Sequence, residues 1–163
     1  MPGDDIVPNA NVIMDRAFTL PGTPSEVWPW FNQLGKNRSG WYFPRSVERF
    51  IPKKKRALRH IDPTLQNLKI GKIIDDWGGK YETFEVAILE PPFVLVHKSR
   101  RGNTNVSWAI TLREHTPGST RMQLRLRLSP VHYKFLAKTA GESIDILTIA
   151  GLAAGLRERL SGT

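Results

Sequence analysis

Five strand-like segments follow one another between positions 72 and 128, and the gaps between them are too short for anything but antiparallel neighbours. Ile73–Trp77, Tyr81–Leu89, Phe93–Arg100, Val106–Glu114 and Arg121–Leu128 are separated by Gly78-Gly79, Pro91-Pro92, Gly102-Asn103 and Pro117-Gly118. A parallel return needs a crossover of roughly a dozen residues or more, so these segments form a meander. The last of them has the sharpest alternation: Met122, Leu124, Leu126 and Leu128 point one way and Arg121, Gln123, Arg125 and Arg127 the other. One face of the sheet is thus predicted dry and one wet. Trp108, Ile110 and Leu112 share the dry face, as do Phe84, Val86 and Ile88. Phe93, Leu95 and His97 are placed there too, because the opposite choice buries Lys98.

A dry sheet face needs a cover. After Ser129-Pro130, Ile146, Ile149, Leu152 or Ala153, Leu156 and Leu160 recur at helical spacing, with Arg157 and Arg159 near the negative end of the helix dipole. His132 to Thr139 reads as a separate helical turn or two, broken at Gly141. Gly151 and Gly155, one turn apart, allow close backbone packing or leave room for a ligand. Upstream, Val12 to Leu20 is a strand with Val12, Met14, Phe18 and Leu20 on one side. Thr23-Pro-Ser-Glu26 is a capping box that opens a helix running to Gly35, with Pro29 inside it. Shorter turns are expected at Arg45 to Phe50 and after Asp62-Pro63.

Six of the fifteen aromatic residues lie between Trp28 and Phe43. Trp28 and Phe31, three apart, share a core face. Trp30 cannot point the same way, and it should line a cavity mouth or meet Trp41-Tyr42. Just beyond, Lys36 to Arg59 holds nine Lys or Arg against Glu48, which is eight of the net nine positive charges of the chain. A solvated basic loop explains this, as does attraction to an anionic ligand, a membrane face or a polynucleotide.

The residues also carry a resemblance. Val27-Trp-Pro-Trp-Phe with Gly35, Ser39-Gly-Trp-Tyr, Ile61 to Gly71, Leu89-Glu-Pro-Pro-Phe-Val-Leu, Ser107-Trp-Ala and Thr120-Arg-Met together resemble the polyketide cyclase/dehydrase-type branch of the START-like, helix-grip (SRPBCC) superfamily. The resemblance covers about Asn11 to Leu160. It implies an α+β helix-grip fold: a curved antiparallel β-sheet wrapped around a long C-terminal α-helix, with a deep cavity between them. The superfamily includes lipid and hormone carriers, cyclases, hydrolases and co-chaperones, and it fixes no catalytic set on numbered positions here. Lys53-Lys-Lys-Arg56 departs from its pattern.

The chain contains no cysteine, so disulfides, thiolate metal sites and cysteine nucleophiles are excluded. No nucleophile elbow, phosphate loop or His-Glu-x-x-His motif occurs, and the four histidines are scattered; no metal site and no cofactor is expected. Asp75 and Asp76, adjacent on a strand, face opposite ways and are read as a solvated turn edge. The length fits one domain, 1–163, with 1–10 as a flexible tail. No signal peptide or membrane span is visible, and a cytoplasmic location is the default.

The expected function is binding of a small hydrophobic or amphipathic molecule, anionic ligands included, in a cavity between sheet and C-terminal helix. Trp30, Tyr42, Trp77, Tyr81, His97 and Trp108 are the ligand-binding candidates. Apolar walls would supply affinity, and Trp or Tyr edges with His97 would orient a polar group. The second reading is a cyclase, dehydratase or hydrolase using the same cavity, whose mark would be a convergent titratable pair. The third makes the basic segment a contact for nucleic acid or anionic membrane, with no specific nucleic acid expected.

Overall fold

The computed structural model describes residues 1–77, 79, 81–131 and 134–162, with the backbone alone over 134–145. Its strands are β1 (Val12–Pro21), β2 (Ile73–Asp75), β3 (Thr83–Glu90), β4 (Val94–Arg101), β5 (Thr104–Thr116) and β6 (Ser119–Ser129). Its helices are α1 (Pro24–Gln33), the one-turn α2 (Arg45–Glu48) and α3 (Lys134–Leu160). The strands form one antiparallel sheet in the order β1-β6-β5-β4-β3-β2. The meander runs consecutively from β2 to β6, and β1 joins at the far edge beside β6, with α3 seated on it.

The local signals at the start of the chain act as the residue types dictate. Thr23 caps α1, its side chain accepting from the Glu26 amide while the Glu26 carboxylate accepts from the Thr23 amide at 2.7 Å. The helix ends at Gln33 with Leu34 as its cap, one residue before Gly35, whose φ of 152° turns the chain away. Trp28 and Phe31 enter the core as expected, with Val27, Leu34 and Leu20 around them.

The inner face of the sheet carries the predicted residues almost throughout. Val86, His97, Trp108, Leu126 and Met14 lie in one row across five strands, each registered against the next. Ile110, Leu112, Met122 and Leu124 are buried beside them. Two positions differ. A bulge between Val86 and Ile88 inserts one residue into β3 and reverses the alternation, so Ile88 packs on the outer face and Leu89 joins the main core. Phe93 belongs to the turn, its amide donating to the Glu90 carbonyl at 2.8 Å, and is half exposed; the strand alternation starts only at Val94.

The outer face is not uniformly wet. Val94, Val96 and Ala109 are buried there under residues from 1–10, with Met1, Ile6 and Ile88 packed around them. That segment, expected to be a flexible tail, lies across the sheet. The Arg127 guanidinium donates to the Val7 and Pro8 carbonyls, and Arg125 bridges Asp4 and Asp15. The outward arginines of β6 thus hold a strap as well as face solvent, because an alternating strand supplies a row of donors at matched spacing.

Helix α3 is continuous through Gly141, where a break was expected; a single interior glycine lowers helix stability by ~1 kcal/mol without ending the helix when its neighbours propagate it. His132 lies outside the described residues. Among the described side chains of α3 the buried apolar stripe is Ile149, Leu152, Ala153 and Leu156, whereas Ile146, expected inside, is exposed. Gly151 and Gly155 serve close packing. A Cβ on Gly155 would stand 2.6 Å from the Tyr42 carbonyl oxygen, and one on Gly151 would stand 2.8 Å from the Phe43 ring. The loop after α1 therefore lies directly on the helix backbone.

Candidate functional site

An aromatic cluster occupies the inner face where β3, β4 and β5 meet the loop after α1. The Trp108 indole, half-buried, stacks on the His97 imidazole with centroids 5.5 Å apart and planes at 23°. Trp41 stacks on Trp108 at 6.1 Å and meets Trp77 edge-on at 5.4 Å. Phe84 leans on both His97 and Trp108, at 5.6 and 6.0 Å. These separations are those of offset and edge-to-face pairs, which hold the rings in fixed mutual orientation. The register of the sheet produces the cluster: His97 pairs with Trp108 across β4 and β5, so both side chains project from neighbouring strands to one side.

Polar groups bound the cluster. Trp41 reaches α3, its indole N–H donating to the Thr148 carbonyl at 3.3 Å. Arg101 lies over the Phe84 ring and pairs with the buried Asp76, while the Lys36 ammonium donates to the Asp76 and Gly79 carbonyls at 3.0 Å. Asp75, by contrast, faces outward and accepts from Asn37. The two neighbouring carboxylates do point opposite ways, but Asp76 is a buried ion-pair partner and not a solvated turn edge, since Arg101 from β4 reaches across to it.

His97 is the exceptional group. It is 3% exposed, and neither Nδ1 nor Nε2 has a hydrogen-bond partner. Buried polar atoms are nearly always paired, and an unpaired one is costly. Burial, with the positive charge of Arg38 as a lesser cause, lowers its pKa from the ordinary 6.5 to about 4. At neutral pH the ring is therefore uncharged, with one N–H to donate and one lone pair to accept.

The sequence candidates divide into three groups. Trp77, His97 and Trp108 come together in the cluster, with Trp77 at the exposed rim. Trp30 and Tyr42 are buried elsewhere in the core and meet each other edge-on at 5.5 Å. The Tyr42 hydroxyl donates to the Trp30 carbonyl at 2.9 Å and lies 2.7 Å from the Ser39 hydroxyl, and burial pushes its pKa up to about 12. Its polar edge is satisfied internally, which leaves it nothing to offer a ligand. Tyr81 is exposed on the opposite face of the sheet, beside a depression of about 420 Å³ lined by Ile73, Glu85 and Lys98.

Trp41 and Phe84 were not among the candidates. Trp41 and Tyr42 are consecutive in an extended segment, so one must face the sheet and the other the core; spacing alone does not say which. Among the described residues no group of three His, Cys, Asp or Glu could hold a metal ion.

No family model and no curated protein matches the sequence. Solved structures do match in fold. Protein MLL2253 from Mesorhizobium loti superposes with a TM-score of 0.57 at 14% identity, over 93% of this chain and 98% of that one. The Aha1 protein from Colwellia psychrerythraea, solved as a dimer, gives 0.55 at 10% identity over 90% and 96% of the two chains. Protein Ms6760 from Mycobacterium smegmatis gives 0.55 at 13% identity over 93% and 92%. Identities this low speak to fold alone. With its curved antiparallel sheet, two helical insertions after the first strand and long C-terminal helix, the chain shares the α+β helix-grip fold of these structures.

Proposed function

We propose that the protein binds a small apolar or amphipathic molecule against the aromatic inner face of the sheet, with His97 as the polar anchor. The observation that carries this reading is the buried imidazole with two unpartnered nitrogens, set among Phe84, Trp41 and Trp108. A ligand hydroxyl, carbonyl or un-ionised acid would satisfy a neutral imidazole, which offers both a donor and an acceptor. The rings would supply affinity through apolar burial, and their fixed stacking limits the ordering cost of binding. Cyclase, dehydratase or hydrolase chemistry would need a second titratable group working with His97. Among the described residues none is hydrogen-bonded to it, so binding is the reading favoured.

Native mass spectrometry of protein purified from its own cells should show a copurified small molecule. Titration with an apolar fluorescent probe such as anilinonaphthalene sulfonate should saturate, and both Trp108→Ala and His97→Phe should weaken it. Unchanged probe affinity in both variants would rule this site out.

A further inference from the structure

The basic segment singled out in the sequence resolves into two populations of charge. Arg59 pairs with Glu48 and Glu158, and Arg38 donates to the Asn32 and Leu65 carbonyls, so these two guanidinium groups are engaged within the fold. The stretch from Arg45 to Arg56 is different. Arg45, Arg49, Lys53, Lys54, Lys55 and Arg56 are all exposed. Its single acid, Glu48, is buried and paired at 2.6 Å with Arg159 of α3, so it contributes nothing to the outward surface. In the middle of these cations stand two apolar side chains in water: Phe50, 77% exposed, and Val47, 41% exposed, one helical turn apart. The Arg49 guanidinium lies 4.6 Å from the centre of the Phe50 ring.

We propose that this exposed knob, Arg45 to Arg56, in which Phe50 and Val47 stand among six exposed cations, docks the protein on the surface of an anionic phospholipid bilayer. The knob is preorganised. Arg56 donates to the Ile51 and Arg49 carbonyls, the Lys55 amide closes on Pro52, and the buried Glu48–Arg159 pair ties its base to α3. Exposed lysines and arginines are drawn to the negative surface potential of anionic lipid, and an exposed aromatic side chain gains by entering the headgroup boundary. A polynucleotide would engage the cations through its phosphates and would leave Val47 and Phe50 unrewarded. The combination of both side-chain classes on one protrusion is what favours the bilayer. This surface is separate from the aromatic cluster, and the proposal stands whether or not that cluster holds a ligand.

The test is cosedimentation with phosphatidylcholine vesicles with and without phosphatidylserine, at low and at raised salt. Binding is expected only to the phosphatidylserine vesicles, weakening with salt. Replacing Lys53, Lys54 and Lys55 together by Gln should lower the partition coefficient on the order of a hundredfold. Phe50→Ser should lower it further at unchanged charge. Because the natural chain has no cysteine, Phe50→Cys offers a unique attachment point for an environment-sensitive dye. Its emission should shift to the blue on phosphatidylserine vesicles and stay unmoved on duplex DNA. Failure to sediment at low salt overturns the proposal, as does sedimentation indifferent to the lysine replacements or to Phe50→Ser. A dye shift on DNA that equals the shift on vesicles overturns it as well, since the surface would then be a polynucleotide contact.

Discussion

The His97 imidazole stacks on the Trp108 indole, 5.5 Å between centroids, with neither of its nitrogens hydrogen-bonded. Two neighbouring strands thus present a flat apolar surface and an unsatisfied polar group at the same spot. A core that served packing alone gains nothing from such an arrangement, because an aliphatic residue in place of His97 would remove the cost of the unpaired nitrogens.

That cost has a pH signature. The folded-state pKa of His97 is depressed to about 4 from 6.5, chiefly by burial, so the unfolded chain binds the proton more tightly. Above pH 6.5 both states are neutral and the group adds no pH dependence. As pH falls from 6.5 toward 4 the unfolded state gains protons that the folded state refuses, and about 3 kcal/mol of stability is lost across that window. Urea denaturation of the wild type and of His97→Phe at pH 7 and pH 4.5 should diverge by most of this amount. Parallel behaviour of the two proteins would contradict the burial of the ring.

Trp30 and Trp108 should respond differently to truncation. Trp30 is buried in the core, and Trp30→Ala should cost ~3 to 5 kcal/mol with little direct effect on probe affinity in protein that remains folded. Trp108 is only partly buried, so Trp108→Phe should cost about 1 kcal/mol or less while weakening probe binding severalfold. Chemical denaturation beside probe titration separates the two residues.

Gly155 should tolerate a methyl group less well than Gly151. Alanine is favoured over glycine in a helix by about 1 kcal/mol. At Gly155 the added carbon meets the Tyr42 and Phe43 backbone, which cannot turn aside, whereas at Gly151 it meets the Phe43 ring, which can. Gly155→Ala should therefore lower stability by ~1 to 3 kcal/mol, and Gly151→Ala by less. Thermal melts of the two variants give the order directly.

The Glu48–Arg159 pair ties α2 to α3 in the interior. Arg159 also donates to the Leu58, Phe43 and Gly155 carbonyls, so Glu48→Ala removes its directly bonded carboxylate and leaves those bonds in place. A buried cation stripped of its partner should cost about 3 to 5 kcal/mol. An apolar residue at 159 would also strip the Leu58 and Phe43 carbonyls of their donor, so the double variant should stay well below the wild type, and a double-mutant cycle isolates the coupling between the two charges.

Local chemistry was legible in the sequence wherever one residue type forces one geometry. The capping box at Thr23 and Glu26, the antiparallel order imposed by short separators, the inward row of β6 and the helical period near Leu152 all follow from side-chain spacing within about a dozen residues. His97 and Trp108 were placed on the inner face by the same alternation. The tertiary structure decided what no spacing encodes. It turned Tyr42 into the core and Trp41 toward Trp108, reversed Ile88 at a bulge, laid 1–10 over Val94 and Val96, and sorted the basic segment into engaged arginines and an exposed knob around Phe50. Most of these outcomes depend on a partner far along the chain: α3 for Trp41, β6 for the strap and Arg159 for Glu48. Alternation gives a side chain two faces to choose between, and only the contact that buries one of them settles the choice.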